Sequence, residues 1–121
     1  VHKKNKLGKE SRLSTAESFQ QVFKNAKRFK TLGITVLTHR NHLTFSRIGI
    51  SVPKRQVPRA VDRNKIRRHI RESFRIRKQQ LTVNLDIVFL AYSEILEKNN
   101  DEIRTCLDFL WEKLNSFYEK V

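Results

Sequence analysis

Between positions 63 and 75 the chain reads Arg63-Asn64-Lys65-Ile66-Arg67-Arg68-His69-Ile70-Arg71-Glu72-Ser73-Phe74-Arg75. At roughly 100° per residue, Ile66, Ile70, Ser73 and Phe74 fall on one side of a helix, and Asn64, Arg67, Arg68, Arg71 and Arg75 on the other. The first side can dock on a core. The second presents planar guanidiniums, which pair bidentately with phosphate oxygens, beside an amide that donates and accepts. The chemistry on offer is polyanion binding. A solvated helix face usually mixes Glu with Lys, whereas this one is rich in Arg and has Glu72 as its one counter-charge, which points to RNA or DNA.

Other chemistry-bearing types are less organised. Phe19, Val22, Phe23 and Ala26 fall at i, i+3, i+4 and i+7, the stripe of an amphipathic helix. Its aromatics are core residues or, if partly exposed, a platform on which unpaired bases stack, with Lys54 and Arg55 supplying charge nearby. His39 and His42 are expected in a loop with no adjacent carboxylate or third histidine, so they read as solvated and not as metal ligands. His69 has no evident partner. Cys106, the single cysteine, reads as a small buried side chain. No local signature assembles Ser, His and acidic residues into a nucleophile site.

The whole chain agrees with a polyanionic partner. Its 121 residues suit one domain, and 26 Lys+Arg against 12 Asp+Glu leave a net charge of +14, favouring nucleic acid over a small acidic metabolite. Residues 84–121 hold eight acidic and four basic residues, a net of −4, so the first 83 carry +18. One cysteine allows no intrachain disulfide and fits a reducing compartment. The opening Val1–Glu10 is basic and polar with no apolar core after it, so it does not read as a secretory signal. No apolar run approaches membrane-spanning length.

The elements that position these residues follow from patterning. Residues 1–12 read as a flexible basic arm and 13–121 as a single RNA-binding domain. Ser14-Thr15-Ala16-Glu17 is a capping box opening the Phe19/Phe23 helix. Leu32–Thr38 and Arg47–Val52 alternate as strands, joined across Arg40-Asn41-His42 as a hairpin, and Lys27–Lys30 is a candidate short edge strand. Pro58 opens a helix running to about Lys78. Leu85–Tyr92, nearly all apolar, is a strand covered on both faces. Asn100 caps a last helix carrying Ile103, Leu107, Leu110, Trp111, Leu114, Phe117 and Tyr118. The order α-β-β-α-β-α describes an α+β sandwich of a small mixed sheet packed with helices.

Ala60–Arg68 followed by Ile70–Arg75 resembles the signature of the bacterial ribonuclease P protein subunit, Arg-Asn-Arg-x-Lys-Arg and then x-x-Arg-Glu-x-Phe. Lys65 stands where that family usually has Arg, and Arg67 where it usually has Lys. Arg47-Ile48-Gly49-Ile50-Ser51-Val52-Pro53-Lys54-Arg55 resembles the family's preceding strand and Lys-rich loop, and Glu17–Lys24 its first helix. The resemblance implies a protein that pairs with a catalytic RNA to remove the 5′ leader of precursor tRNA in the cytoplasm. The active site and its Mg²⁺ are then in the RNA, with no catalytic or metal-binding residue, membrane association or protein partner expected for this chain. It implies contacts to ribonuclease P RNA from Arg63, Asn64, Lys65, Arg67, Arg68, Arg71 and Arg75. It implies leader contacts at Phe19, Phe23, Leu37, Lys54 and Arg55, Leu37 falling where some relatives have Tyr. It also implies a left-handed βαβ crossover of the ribosomal protein S5 domain 2-like kind. The alternative is a ribosomal-type or RNA-chaperone protein. A helix-turn-helix DNA binder lacks its turn Gly within residues 58–78.

Overall fold

The computed structural model describes residue 24 and residues 26–119. The basic arm, the capping box at Ser14–Glu17, Phe19 and Phe23 lie outside the described residues.

Four strands, β1 (Lys27–Lys30), β2 (Ile34–Arg40), β3 (Arg47–Ser51) and β4 (Leu85–Ala91), form one sheet in the order β1-β2-β4-β3. β1 and β2 are antiparallel, as are β2 and β4, while β3 runs parallel to β4. The expected hairpin between the second and third strands is therefore not formed. β4 lies between them, consistent with a strand whose Leu85, Asp86, Ile87, Val88 and Phe89 are all buried. The connecting loop is shaped by its own polar groups instead: the Asn41 side-chain oxygen accepts from Leu43 N–H at 2.8 Å, and His42 takes φ 59°, a left-handed conformation that Asn and His adopt more readily than most residues.

Helices α1 (Ala60–Arg77) and α2 (Asn100–Glu119) pack on one face of the sheet. The parallel β3-α1-β4 unit is the crossover at the centre of the fold. Ile66, Ile70 and Phe74 of α1 are buried, as the spacing predicts, against Ile48, Ile87 and Phe89 of the sheet and Leu107, Leu110 and Trp111 of α2. Two short 3₁₀ turns, Lys78–Gln80 and Ser93–Glu97, flank β4.

Three boundaries differ from expectation for identifiable reasons. β2 begins at Ile34 and not Leu32 because Gly33 sits at φ 103°, and a Cβ there would stand 2.9 Å from Ile95 N. α1 begins at Ala60, two residues after Pro58, because Arg59 is still extended at φ −87°, ψ 131°. The cap of α2 is Asn99 and not Asn100. The Asn99 side-chain oxygen accepts from Glu102 N–H, and the Glu102 carboxylate accepts from Asn99 N–H, both at 2.9 Å, a reciprocal capping box.

Candidate nucleic-acid interface

α1 stands on the sheet along its Ile66/Ile70/Phe74 stripe, so the rest of its surface is set by rotation about that stripe. Arg67, Arg71, Asn64 and Arg75 follow one another around the flank turned away from α2, and Arg68 comes next, at the edge that borders α2. Asn64, Arg68 and Arg71 are exposed, and Arg67 and Arg75 half-buried. Among the described residues Arg67, Arg68 and Arg71 make no ion pair, whereas Arg75 pairs with Glu72. That pairing holds the Glu72 carboxyl below its usual range and raises Arg75. Arg67 only grazes the Asn64 side-chain oxygen, at 3.5 Å. Three arginines are thus left with their donors available to phosphate oxygens.

Arg63 is engaged differently. Its Nη1 donates to the carbonyls of Val57 at 3.0 Å and Pro58 at 2.7 Å, fastening the β3-α1 loop to the first turn of the helix that it enters. Lys65 turns toward α2 and lines a groove of about 480 Å³ with Arg68, His69, Glu72, Asn100 and Arg104. There His69 Nε2 lies 3.3 Å from the Asn100 side-chain oxygen. Sequence reasoning left His69 unpartnered and missed Arg104, because the groove exists only once α1 and α2 are packed.

Of the other expected contacts, Leu37, Lys54 and Arg55 are among the described residues. Leu37 is 1% exposed and packs with Val88, Ala26 and Leu90. Lys54 and Arg55 are exposed on the turn after β3. Pro53 accepts from the amides of Gln56 and Val57, at 3.0 and 2.9 Å, and the Gln56 side chain accepts from Ser93 N–H at 3.0 Å. The two cations therefore ride on a loop anchored to both its own strand and the end of β4. Leu37 thus lies on the sheet face away from α1 and α2, and Lys54 and Arg55 on the loop that leads from β3 to α1.

His39 is on β2 and not in a loop, and β4 sets Asp86 opposite it; a carboxylate 47 positions away in sequence was invisible to local spacing. Asp86 itself, 3% exposed, accepts from Arg47 Nε at 2.8 Å, Arg47 Nη2 at 2.6 Å and Asn41 Nδ2 at 2.9 Å. The hydrogen bonds to Asp86 raise the Arg47 pKa. This cluster joins β3, β4 and the 41–46 loop. Cys106 is half-buried against the core. Among the described residues no helix is long and apolar enough to cross a membrane. α1 runs unbroken for 18 residues, which removes the helix-turn-helix reading.

Known proteins share this arrangement. A solved ribonuclease P protein of Staphylococcus aureus superposes with a TM-score of 0.79 at 28% identity, covering 86% of this chain and 94% of that one. The ribonuclease P protein of Thermotoga maritima gives 0.66 at 29% identity, with 91% and 96% covered. In sequence, the ribonuclease P protein component of Idiomarina loihiensis is 43% identical over 115 residues, 94% of this chain and 91% of the relative. The profile of the family described as Ribonuclease P matches residues 7–115, and the chain belongs to that family of ribonuclease P protein components.

Proposed function

We propose that this chain docks onto the catalytic RNA of ribonuclease P through the exposed flank of α1 and holds the 5′ leader of precursor tRNA on the far face of the sheet, so assisting Mg²⁺-dependent removal of the leader. The observation that carries the docking reading is the set Arg67, Arg68 and Arg71, three guanidiniums on the outer surface of α1 with no carboxylate partner among the described residues. Asn64, Lys65 and Arg75 border that set. Arg63 contributes chiefly by fixing the loop that leads into it. The leader reading rests on the family resemblance at Phe19, Phe23, Lys54 and Arg55, and on the exposure of Lys54 and Arg55; Leu37, buried against Val88, has no surface to offer a base and supports the cleft from below.

Among the described residues no three His, Cys, Asp or Glu are grouped as a metal site, and the proposed contact surface is cationic. Mg²⁺ in this reading is held by the RNA. The protein's contribution is charge: with +14 it lowers the repulsion between two RNAs that must approach closely, a sequence-independent term that weakens as salt rises.

Reconstitution tests the proposal. Added to a bacterial ribonuclease P RNA at low Mg²⁺, the protein restores cleavage of the leader from precursor tRNA. RNA binding with no stimulation of cleavage would instead support the ribosomal-type or chaperone alternative.

A further inference from the structure

We propose that Tyr92 is a nucleobase-stacking residue, and that an unpaired base of the leader rests on its ring while the adjoining phosphates meet Lys54 and Arg55. The inference rests on the leader-binding reading above and adds to it a residue that the resemblance did not supply.

Side chains alternate between the two sheet faces along β4. Leu85, Ile87, Phe89 and Ala91 enter the core shared with the helices, whereas Val88 and Leu90 pack with Leu37 on the opposite face. Tyr92 keeps extended backbone, φ −122° and ψ 166°, and its amide donates to Gly33 O at 2.9 Å. The ladder to the β2 side therefore continues one residue past the strand, and alternation carries the Tyr92 side chain onto the Leu37/Val88/Leu90 face. There Tyr92 is 37% exposed, and its hydroxyl makes no hydrogen bond among the described residues.

The neighbouring chain supplies charge at the same corner. β3 runs parallel to β4 and their ladder ends with Ser51 opposite Leu90, so Tyr92 and the Lys54-Arg55 turn both leave the sheet at the same end. The Gln56 side chain, bonded to Ser93 N–H at 3.0 Å, holds that turn against the residue next to Tyr92. An exposed aromatic ring flanked by cations on an anchored loop is the pairing that binds single-stranded nucleic acid, with stacking on the base and electrostatic attraction to the backbone. Duplex RNA offers no free base face at such a corner.

The test uses holoenzyme assembled with a bacterial ribonuclease P RNA, comparing affinity for precursor tRNA bearing a single-stranded leader with affinity for leaderless tRNA. Tyr92→Phe should match wild type. Tyr92→Leu and Tyr92→Ala should lose about fivefold or more on the leader-bearing substrate, the effect of losing one stacked base, and nothing on the leaderless one. Leu performing as well as Phe, or equal losses on both substrates, overturns the stacking role. Wild-type enzyme that does not distinguish the two substrates overturns the leader reading itself. A second measurement does not depend on the truncations: Tyr92→Trp adds a partly exposed indole to a chain whose one native tryptophan, Trp111, is 1% exposed. Its extra emission should be quenched by a single-stranded RNA oligonucleotide, and unquenched emission overturns the proposal.

Discussion

Trp111 Nε1 donates to Ser73 Oγ at 3.0 Å, and Ser73 Oγ donates in turn to Ile70 O at 3.1 Å. The one hydroxyl in the basic signature of α1 thus serves as the partly buried contact that sets the roll of that helix against α2. Replacing Ser73 by Ala leaves an indole N–H without its acceptor and should cost about 1–3 kcal/mol. Urea unfolding monitored by Trp111 fluorescence measures it. RNA affinity should fall less than for the arginine variants below.

Those variants act on the exposed flank. Changing Arg67, Arg68 and Arg71 to Gln should leave unfolding midpoints close to wild type, because among the described residues none is in an ion pair. The plot of log K against log salt for assembly with ribonuclease P RNA should flatten by about 0.7–0.9 for each phosphate that is no longer neutralised. Arg77→Gln is the comparison: Arg77 is bonded to Asp108 at 2.9 Å on the α2 side, and its replacement should barely alter the slope.

Asp86→Ala removes the acceptor of three hydrogen bonds and strands Arg47 in a partly buried position. A cost of about 2–4 kcal/mol is expected, read as a fall in melting temperature. Arg47→Ala in the same background should recover part of it, since the orphaned charge is then gone.

Gly33→Ala confronts both a positive φ and a Cβ 2.9 Å from Ile95 N. Because that neighbour is backbone and cannot swing aside, the substitution should destabilise by more than the ~1 kcal/mol usual for placing a non-glycine residue in the left-handed region. Denaturant midpoints check it.

Tyr118 predicts an alkaline limb. Its hydroxyl lies 2.8 Å from Thr38 Oγ1, and burial pushes its pKa above the ordinary value, with the Thr38 hydrogen bond and the Arg40 charge opposing. The folded protein therefore keeps this proton to higher pH than the unfolded chain does. The associated stability is fully present below the ordinary tyrosine pKa of ~10 and is lost as pH rises through the higher folded value. Tyr118→Phe should flatten the decline in denaturant midpoint over that window.

Much of this was legible in local pattern. The two sides of α1 follow from the spacing of Ile66, Ile70 and Phe74, and the burial of β4 on both faces follows from its nearly all-apolar run. The Asn99 cap was also within reach, since Glu102 stands three residues after Asn99 and not after Asn100. Strand order was not legible: β4 separates β2 from β3 through register between segments 45 to 57 residues apart, and no nearest-neighbour pattern encodes that choice. The same long-range pairing hid the approach of Asp86 to Arg47 and Asn41. The groove between α1 and α2 likewise depends on how two distant helices meet.

The central position of β4 has a consequence for how the protein comes into being. β2 and β3 share no ladder with each other and both need Leu85–Ala91. On the ribosome, the arginine helix is therefore synthesised before the sheet that supports it can close. A growing chain halted before residue 85 is strongly cationic and can form the β1-β2 ladder but not the rest of the sheet, and the last strand and the acidic final helix arrive after the arginines they support.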